Sequence, residues 1–191
     1  MPSETFQSPP EKGDGERVDV TITYLEQTAR PILPTPITPH GKIAILRAEQ
    51  PPVHFYRYIY RLVGDPYHWV SRRRIDDAAL TRIIHDPSVY VYVLYVNGAP
   101  GGFAEIDGRD DKTHHLKFFG LAPDQTGAKL GRYFLTNIID LAWSHGAQRL
   151  CLETCSLDHS AALPLYQKMG FRVYDRREGV VELMDTPPTP R

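Results

Sequence analysis

Cysteine is scarce in this sequence, which argues against a disulfide-stabilised or zinc-binding scaffold. The chain has only two cysteines among 191 residues, Cys151 and Cys155. In one strand, residues four apart face the same side of a sheet but lie too far apart to form a disulfide. We therefore predict free thiols, as is typical of a reducing cytoplasm. No second Cys/His pair stands at ligand spacing, so no metal is predicted.

Long apolar runs and an excess of charge are also missing. No run approaches the roughly 20 apolar residues that a membrane span needs, and the N-terminus lacks the basic-then-apolar order of a signal peptide. The formal net charge of −1 gives no electrostatic reason to expect nucleic acid or a membrane surface as a partner. With 41% hydrophobic and 24% charged residues, a cytoplasmic globular protein is predicted.

Proline, by contrast, is plentiful and divides the chain. Residues 1–16 and 186–191 combine proline with polar or charged residues and are predicted to be disordered tails. Four prolines between residues 30 and 41 exclude a helix interior or a central strand there. We therefore predict an extra strand and a proline-rich loop over 17–41, followed by one domain over 42–185.

Hydrophobic periodicity predicts an α+β fold. The alternating runs 18–25 and 42–49 are predicted strands and candidates to pair across the proline loop. The dipeptide Asn97-Gly98 predicts a hairpin between strands 89–96 and 101–107. Further strands are predicted at 114–121, 149–154, 171–176 and 180–184. Helices are predicted at 54–63, 76–85 and 161–169, and another follows the loop after strand 114–121 and ends near residue 145. This order gives a mixed, mostly antiparallel sheet with one β-α-β crossover and helices on both faces.

The stretch Phe118–Trp143 organises this order. It reads as a buried strand, a glycine-bearing loop and a helix, so backbone N–H groups at the helix start face whatever lies beyond the strand. A phosphate would suit that place. The crossover makes strands 114–121 and 149–154 parallel neighbours, and a ligand crevice is expected beyond their carboxyl ends. Gly120 inside the first of them predicts a bulge or a close backbone approach.

Two segments resemble motifs of the GNAT superfamily of N-acetyltransferases. Leu121–Leu135 (LAPDQTGAKLGRYFL) is similar to its acetyl-CoA-binding motif, and Asp158–Phe171 (DHSAALPLYQKMGF) to the helix motif that follows. The resemblance implies a three-layer fold and acetyl-CoA as co-substrate, without a metal. The family loop usually reads Arg/Gln-x-x-Gly-x-Gly/Ala, whereas Thr126 and Lys129 stand here at the leading residue and the central glycine. The implied cofactor-binding residues are Phe119, Gly120, Leu121, Thr126, Gly127, Ala128, Lys129, Leu130, Gly131, Arg132 and His159.

The same resemblance suggests catalytic roles. Tyr166 stands where the family carries a tyrosine that protonates the leaving thiolate, although packing against Phe171 is an alternative. Family members often use a strand glutamate or a water chain as general base, and here the corresponding strand offers His114 and His115. Histidine suits this role at neutral pH. Glu105 and Glu153 are the other candidates, and strand parity predicts His115, Lys117 and Phe119 on one face.

The acceptor site is implied to lie along the two N-terminal helices and their link. Its predicted lining residues are Tyr56, Tyr60, Tyr67, His68 and Trp69, with Arg72 to Arg74 as a possible seat for a substrate carboxylate. The leading function is acetylation of a small-molecule amine. A protein or peptide acetyltransferase and a non-catalytic acyl-CoA-binding module are the alternatives. Whether the protein is a monomer or a homodimer is left open.

Overall fold

A seven-stranded mixed sheet lies between two layers of helices in the computed structural model, which describes residues 16–127 and 129–183. The strands are β1 (Arg17–Gln27), β2 (Ile43–Arg47), β3 (Val89–Val96), β4 (Ala99–Asp107), β5 (Thr113–Leu121), β6 (Arg149–Cys155) and β7 (Arg172–Glu182). The helices are α1 (Val53–Gly64), α2 (Asp77–Ile84), α3 (Leu130–Ser144) and α4 (Ala162–Lys168).

The strand order across the sheet is β2-β3-β4-β5-β6-β1-β7. Only β5 and β6 pair in parallel; every other neighbouring pair in the described sheet is antiparallel. The β3–β4 hairpin turns at Asn97 (φ +52) and Gly98 (φ +91), as a turn with two left-handed residues requires. The predicted α+β fold with one parallel β-α-β unit is therefore confirmed.

Strand β1 lies inside the sheet, so the predicted pairing of the first two strands is wrong. β1 pairs with β6 on one side and β7 on the other, while β2 pairs with β3 at the opposite edge. Its side chains explain the central position, because Leu25 and Val20 are almost fully buried on opposite faces (0% and 1% exposed). The extended proline segment can reach about 3.3 Å per residue, enough to carry the chain across the sheet.

The C-terminal strand is continuous, so the predicted pair of strands at 171–176 and 180–184 is also wrong. β7 pairs with β1 from Arg172 to Glu182, with one register shift beside Tyr24 and Leu25. Gly179, which lies in the predicted gap between those two strands, is opposite Val20 within this ladder. The eleven-residue β1 offers a partner along the whole length of β7, and a partner so distant in sequence leaves no local signal.

Each face of the sheet carries its own apolar cluster. Helices α1 and α2 pack on one face around Tyr56, Ile59 and Leu80. Helices α3 and α4 pack on the other face around Phe134, Ile138 and Tyr166. We call these the α1 face and the α3 face of the sheet. No helix among residues 16–127 and 129–183 is long and apolar enough to cross a membrane.

Strands β5 and β6 separate halfway along their length. Their pairing runs from Thr113/Arg149 to Leu116/Leu152 and ends there, although both strands continue. At the same level the β4–β5 register skips one residue of β5, Lys117. A bulge bends a strand and adds twist, so the bulge at Lys117 coincides with the start of a V-shaped opening, which we call the splay.

The bulge corrects two predictions about β5. The extra residue is Lys117 rather than Gly120. It also shifts strand parity, so that Phe118 packs on the α1 face and Phe119 on the α3 face. His115, Lys117 and Phe119 therefore do not share one face. The alternative for Gly120 is confirmed, since a Cβ there would lie 2.5 Å from Val63 Cγ1.

The predicted tails lie outside the described residues, apart from Glu16. The predicted domain bounds at 42–185 stay a prediction. The burial of β1 between β6 and β7 leads us to propose that the folded unit begins at this strand.

Substitution of Leu25 tests that proposal. Leu25→Ala removes a side chain that is fully buried and is expected to lower the free energy of unfolding by about 3 kcal/mol. Leu46→Ala on β2 is the matched control, because that leucine is 56% exposed and its loss should cost less than about 0.5 kcal/mol. Urea unfolding followed by circular dichroism measures both, and equal effects would contradict a core position for β1.

Candidate active site

The splay exposes strand edges on both sides of one crevice. Beyond Leu116, residues 118–121 of β5 pair with β4 but not with β6. Beyond Leu152, residues 153–155 of β6 pair only with β1. The backbone groups of β5 that point toward β6 are therefore available to an extended ligand lying between the strands. The predicted residues Phe119, Gly120 and Leu121 lie on this edge.

The loop after β5 leads into the N-terminus of α3. Gly127 (φ +87) and Lys129 (φ +60) both have left-handed backbone conformations, and helix α3 begins at Leu130 without a side-chain cap among the described residues. The first N–H groups of a helix have no intrahelical partner and attract anions. Lys129 thus retains a backbone conformation that glycine adopts more readily.

The residues around this loop fit a large phosphorylated cofactor. Thr126, Gly127 and Lys129 are exposed beside the helix start, and Arg132 follows in the first turn. A Cβ at Gly131 would lie 3.7 Å from Leu165 Cδ2, an ordinary contact, so close helix packing does not require this glycine. Ala128 lies outside the described residues.

Tyr166 lies beside the unpaired half of β5. Its ring centroid is 6.3 Å from that of Phe119 and 6.1 Å from that of Phe171, and the residue is 7% exposed. Tyr166 therefore packs on Phe171 and also lies next to the crevice, so the two alternatives do not exclude each other. Burial raises the pKa of the Tyr166 phenol well above its usual value, and Asp158 adds to the rise. The phenol stays protonated at neutral pH.

Asp158 is a central residue of the crevice that the sequence analysis did not assign to the site. Its Oδ2 accepts hydrogen bonds from Thr154 Oγ1 (2.6 Å) and the Cys155 N–H (2.9 Å) at the end of β6. Its Oδ1 accepts one from the Trp69 indole N–H (3.4 Å). The one sequence signal that could have identified Asp158 as a site residue is its position just after a strand that ends at the crevice. His159 accepts from the Ala161 N–H through Nδ1 (3.1 Å), which satisfies one donor at the start of α4.

Trp69 covers the splay on the α1 face. Its ring lies 5.2 Å from Phe118 and 5.7 Å from Tyr60, centroid to centroid. The preceding His68 has a left-handed backbone (φ +55) and a buried Nδ1 without a hydrogen-bond partner among the described residues. Tyr67 approaches the His159 ring edge-on at 6.4 Å. The predicted residues of this link therefore lie across the mouth of the crevice.

Tyr56 and Tyr60 occupy the core instead. Their exposures are 0% and 1%, so they do not line an open surface, contrary to their predicted place in the lining of an acceptor site. The Tyr56 hydroxyl donates to one oxygen of Glu105, and Arg72 Nη2 donates to the other at 2.5 Å. Burial opposes the charge of Arg72, yet Glu105 raises its pKa. Glu105 is fully buried with both oxygens engaged, which does not favour it as a general base.

The three consecutive arginines are occupied within the chain. Arg72 pairs with Glu105, Arg73 Nη1 with Asp65 Oδ1 (3.2 Å), and Arg74 Nη2 donates to the Glu182 carbonyl (3.1 Å). They attach the α1–α2 link to β4, to the end of α1 and to β7. These contacts argue against the predicted seat for a substrate carboxylate.

Glu153 and His115 lie on the α1 face at different depths. Glu153 follows the last β5–β6 pair and is exposed. Neighbouring protein removes water and raises its pKa, which Lys117 lowers and Asp158 raises further. His115 lies in the paired half, opposite Cys151, where burial and then Lys117 lower its pKa. His115 and Gly120 are five positions apart, which is about 16 Å along a strand.

The sequence matches the model of the acetyltransferase (GNAT) family over residues 54–171. The chain therefore belongs to this family. The match begins in α1 and ends just before β7, so strands β1, β2 and β7 lie outside it. No curated protein matches the sequence.

Solved structures share the fold at low sequence identity. A GCN5-related N-acetyltransferase from Sphaerobacter thermophilus gives a TM-score of 0.60 at 16% identity, covering 85% of this chain and 51% of that one. An aminoglycoside acetyltransferase from an uncultured soil metagenomic sample gives 0.55 at 14%, covering 67% and 87%. A GNAT family acetyltransferase from Elizabethkingia anophelis with acetyl-CoA bound gives 0.51 at 21%, covering 70% and 78%. This chain spans about half the length of the Sphaerobacter protein.

Substitutions of Lys129 test the left-handed backbone of the loop. Lys129→Gly and Lys129→Ala both remove the charge, but only glycine adopts a φ of +60 without steric cost. The glycine variant is therefore expected to be more stable than the alanine variant by about 1 kcal/mol. Thermal and urea unfolding measure this difference, and an alanine variant of equal or greater stability would contradict the conformation.

Proposed function

We propose that this protein transfers the acetyl group of acetyl-CoA to a primary amine of a small molecule. The observation that carries the proposal is the splay itself. An unpaired strand edge, a helix N-terminus with left-handed residues before it, and a protonated buried tyrosine all meet at one crevice. Acetyl-CoA supplies the activated thioester.

The cofactor would be held by two parts of the chain. The edge of β5 at Phe119 to Leu121 offers backbone groups to the pantetheine arm, which would lie there as an additional strand. The loop from Thr126 to Lys129 and the start of α3 offer N–H groups to the phosphates, and the Lys129 ammonium adds a charge-assisted contact. A backbone N–H near Gly120 would polarise the acetyl carbonyl.

Glu153 is our candidate for the group that takes the proton from the amine. It is exposed at the inner end of the splay, on the face opposite α3 and α4, and its raised pKa brings it closer to neutrality than that of an ordinary glutamate. A base works best when its pKa is near the working pH. Glu105 is enclosed by Tyr56 and Arg72, and His115 lies deeper, where β5 and β6 are paired.

Tyr166 is our candidate donor to the leaving sulfur. Its pKa is raised far above that of a thiol,, so full transfer of its proton to the thiolate is uphill. We therefore assign it a hydrogen bond that stabilises the developing negative charge on the sulfur. Glu153 takes one proton from the incoming ammonium, and the neutral amine then attacks. The second proton passes from the nitrogen of the tetrahedral intermediate to the sulfur as the carbon–sulfur bond breaks.

A small acceptor is favoured over a peptide by the cover on the α1 face. Trp69 and Tyr67 contact Asp158 and His159 across the mouth of the crevice, which narrows the space for an extended chain. The similarity in fold to an aminoglycoside acetyltransferase supports the same choice.

Thiol release from acetyl-CoA over a library of amines and peptides tests the function. We expect turnover with small amines, and about 100-fold slower turnover in Tyr166→Phe, which lacks the hydrogen-bond donor to the developing thiolate, with unchanged acetyl-CoA affinity by calorimetry. Turnover with peptides alone would indicate a protein acetyltransferase. Binding without turnover would indicate a non-catalytic module, and absence of binding would overturn the proposal.

The pH dependence of kcat at saturating amine identifies the base. Because the pKa of Glu153 is raised, kcat should fall as the pH drops through a value above 4.5, where the carboxylate takes up a proton. Glu153→Gln should slow turnover and abolish the fall of kcat at acidic pH, whereas His115→Gln should change neither the turnover nor this fall. If the fall disappeared only in His115→Gln, His115 would be the general base instead of Glu153.

A further inference from the structure

Trp69 joins the two strands that separate at the splay. On one side its ring contacts Phe118 of β5. On the other its indole N–H donates to Asp158 Oδ1, and the second oxygen of that carboxylate is fixed at the end of β6 by Thr154 and Cys155. Trp69 thus spans the place where strand pairing has ceased.

A glycine shapes the seat of this indole. A Cβ at Gly64 would lie 2.5 Å from Trp69 Cε3, a distance that real contacts do not reach. The backbone also fixes the ring, because the Trp69 N–H donates to the Gly64 carbonyl at 3.1 Å. A left-handed residue, His68 (φ +55), directs the chain into this position. These contacts hold the Trp69 indole in one position, so it can act as a rigid wall of the crevice.

We propose that Trp69 and Asp158 are positioning residues that form a roof over the thioester on the acceptor side. The inference rests on the proposed function. The roof keeps bulk water from the acetyl carbon while the exposed side near Glu153 admits the amine. Without it, water would compete: its oxygen bonds the acetyl carbon, the carbon–sulfur bond breaks, one proton of the water passes to the sulfur, and acetate, a proton and the coenzyme A thiol are released. Excluding water in this way suppresses hydrolysis of a reactive group.

The expected effect is a change in the ratio of hydrolysis to transfer. Trp69→Phe keeps an aromatic ring but loses the hydrogen bond to Asp158. In this variant, thiol release from acetyl-CoA without amine should rise about 10-fold, and the KM for the amine should rise. Trp143→Phe is the matched control. Trp143 lies on helix α3, away from the splay, and its indole N–H also donates a hydrogen bond, to Gln27 Oε1 of β1 at 3.0 Å. This substitution should leave both rates unchanged.

Fluorescence gives a readout that does not depend on turnover. In the Trp143→Phe protein, Trp69 is the single tryptophan, since the chain contains two. Adding Asp158→Ala should raise the quenching of Trp69 by acrylamide at least twofold if Asp158 holds the indole in place. Unchanged quenching, or unchanged hydrolysis in Trp69→Phe with transfer intact, would overturn the roof while leaving the proposed function standing. A wild-type protein that binds no acetyl-CoA would overturn both.

Discussion

The structure depends on the point where β5 and β6 stop pairing, after Leu116 and Leu152. A parallel pair held together along its whole length would offer no strand edge inside the sheet. The bulge at Lys117 bends β5 away at this level and also reverses which side chains face each helix layer. One extra residue therefore lies where the crevice begins, and it places Phe118 on the α1 face and Phe119 beside Tyr166.

The cover of this crevice is held by charge as well as by packing. Arg72 and Glu105 form a buried ion pair beneath the α1–α2 link, and Tyr56 satisfies the remaining oxygen. Breaking such a pair from one side costs about 3–5 kcal/mol, because an unpaired charge stays buried. Arg73 and Arg74 tie the same link to Asp65 and to β7. A mobile connection thereby becomes a defined wall around Trp69.

Much of the α3 side of the crevice could be predicted because it depends on local pattern. A strand followed by a glycine loop and a helix is written in consecutive residues, and so is the helix that carries Tyr166. The α1 side of the crevice could not be predicted in this way. Glu105, Tyr56 and Arg72 look like ordinary strand, helix and loop residues, and their pairing depends on three segments meeting. Asp158 gave only the signal of a polar residue at the end of a strand.

By itself the sequence determined the fold class, most helix and strand positions, the family and the place of the glycine-bearing loop before α3, since periodicity, turn chemistry and short motifs involve neighbouring residues. Only the tertiary structure decided that β1 lies between β6 and β7, that β7 is unbroken, and where the splay begins. Each of these depends on backbone pairing between residues more than thirty positions apart, and such pairing is set by the fit of whole surfaces, which no single stretch of sequence records.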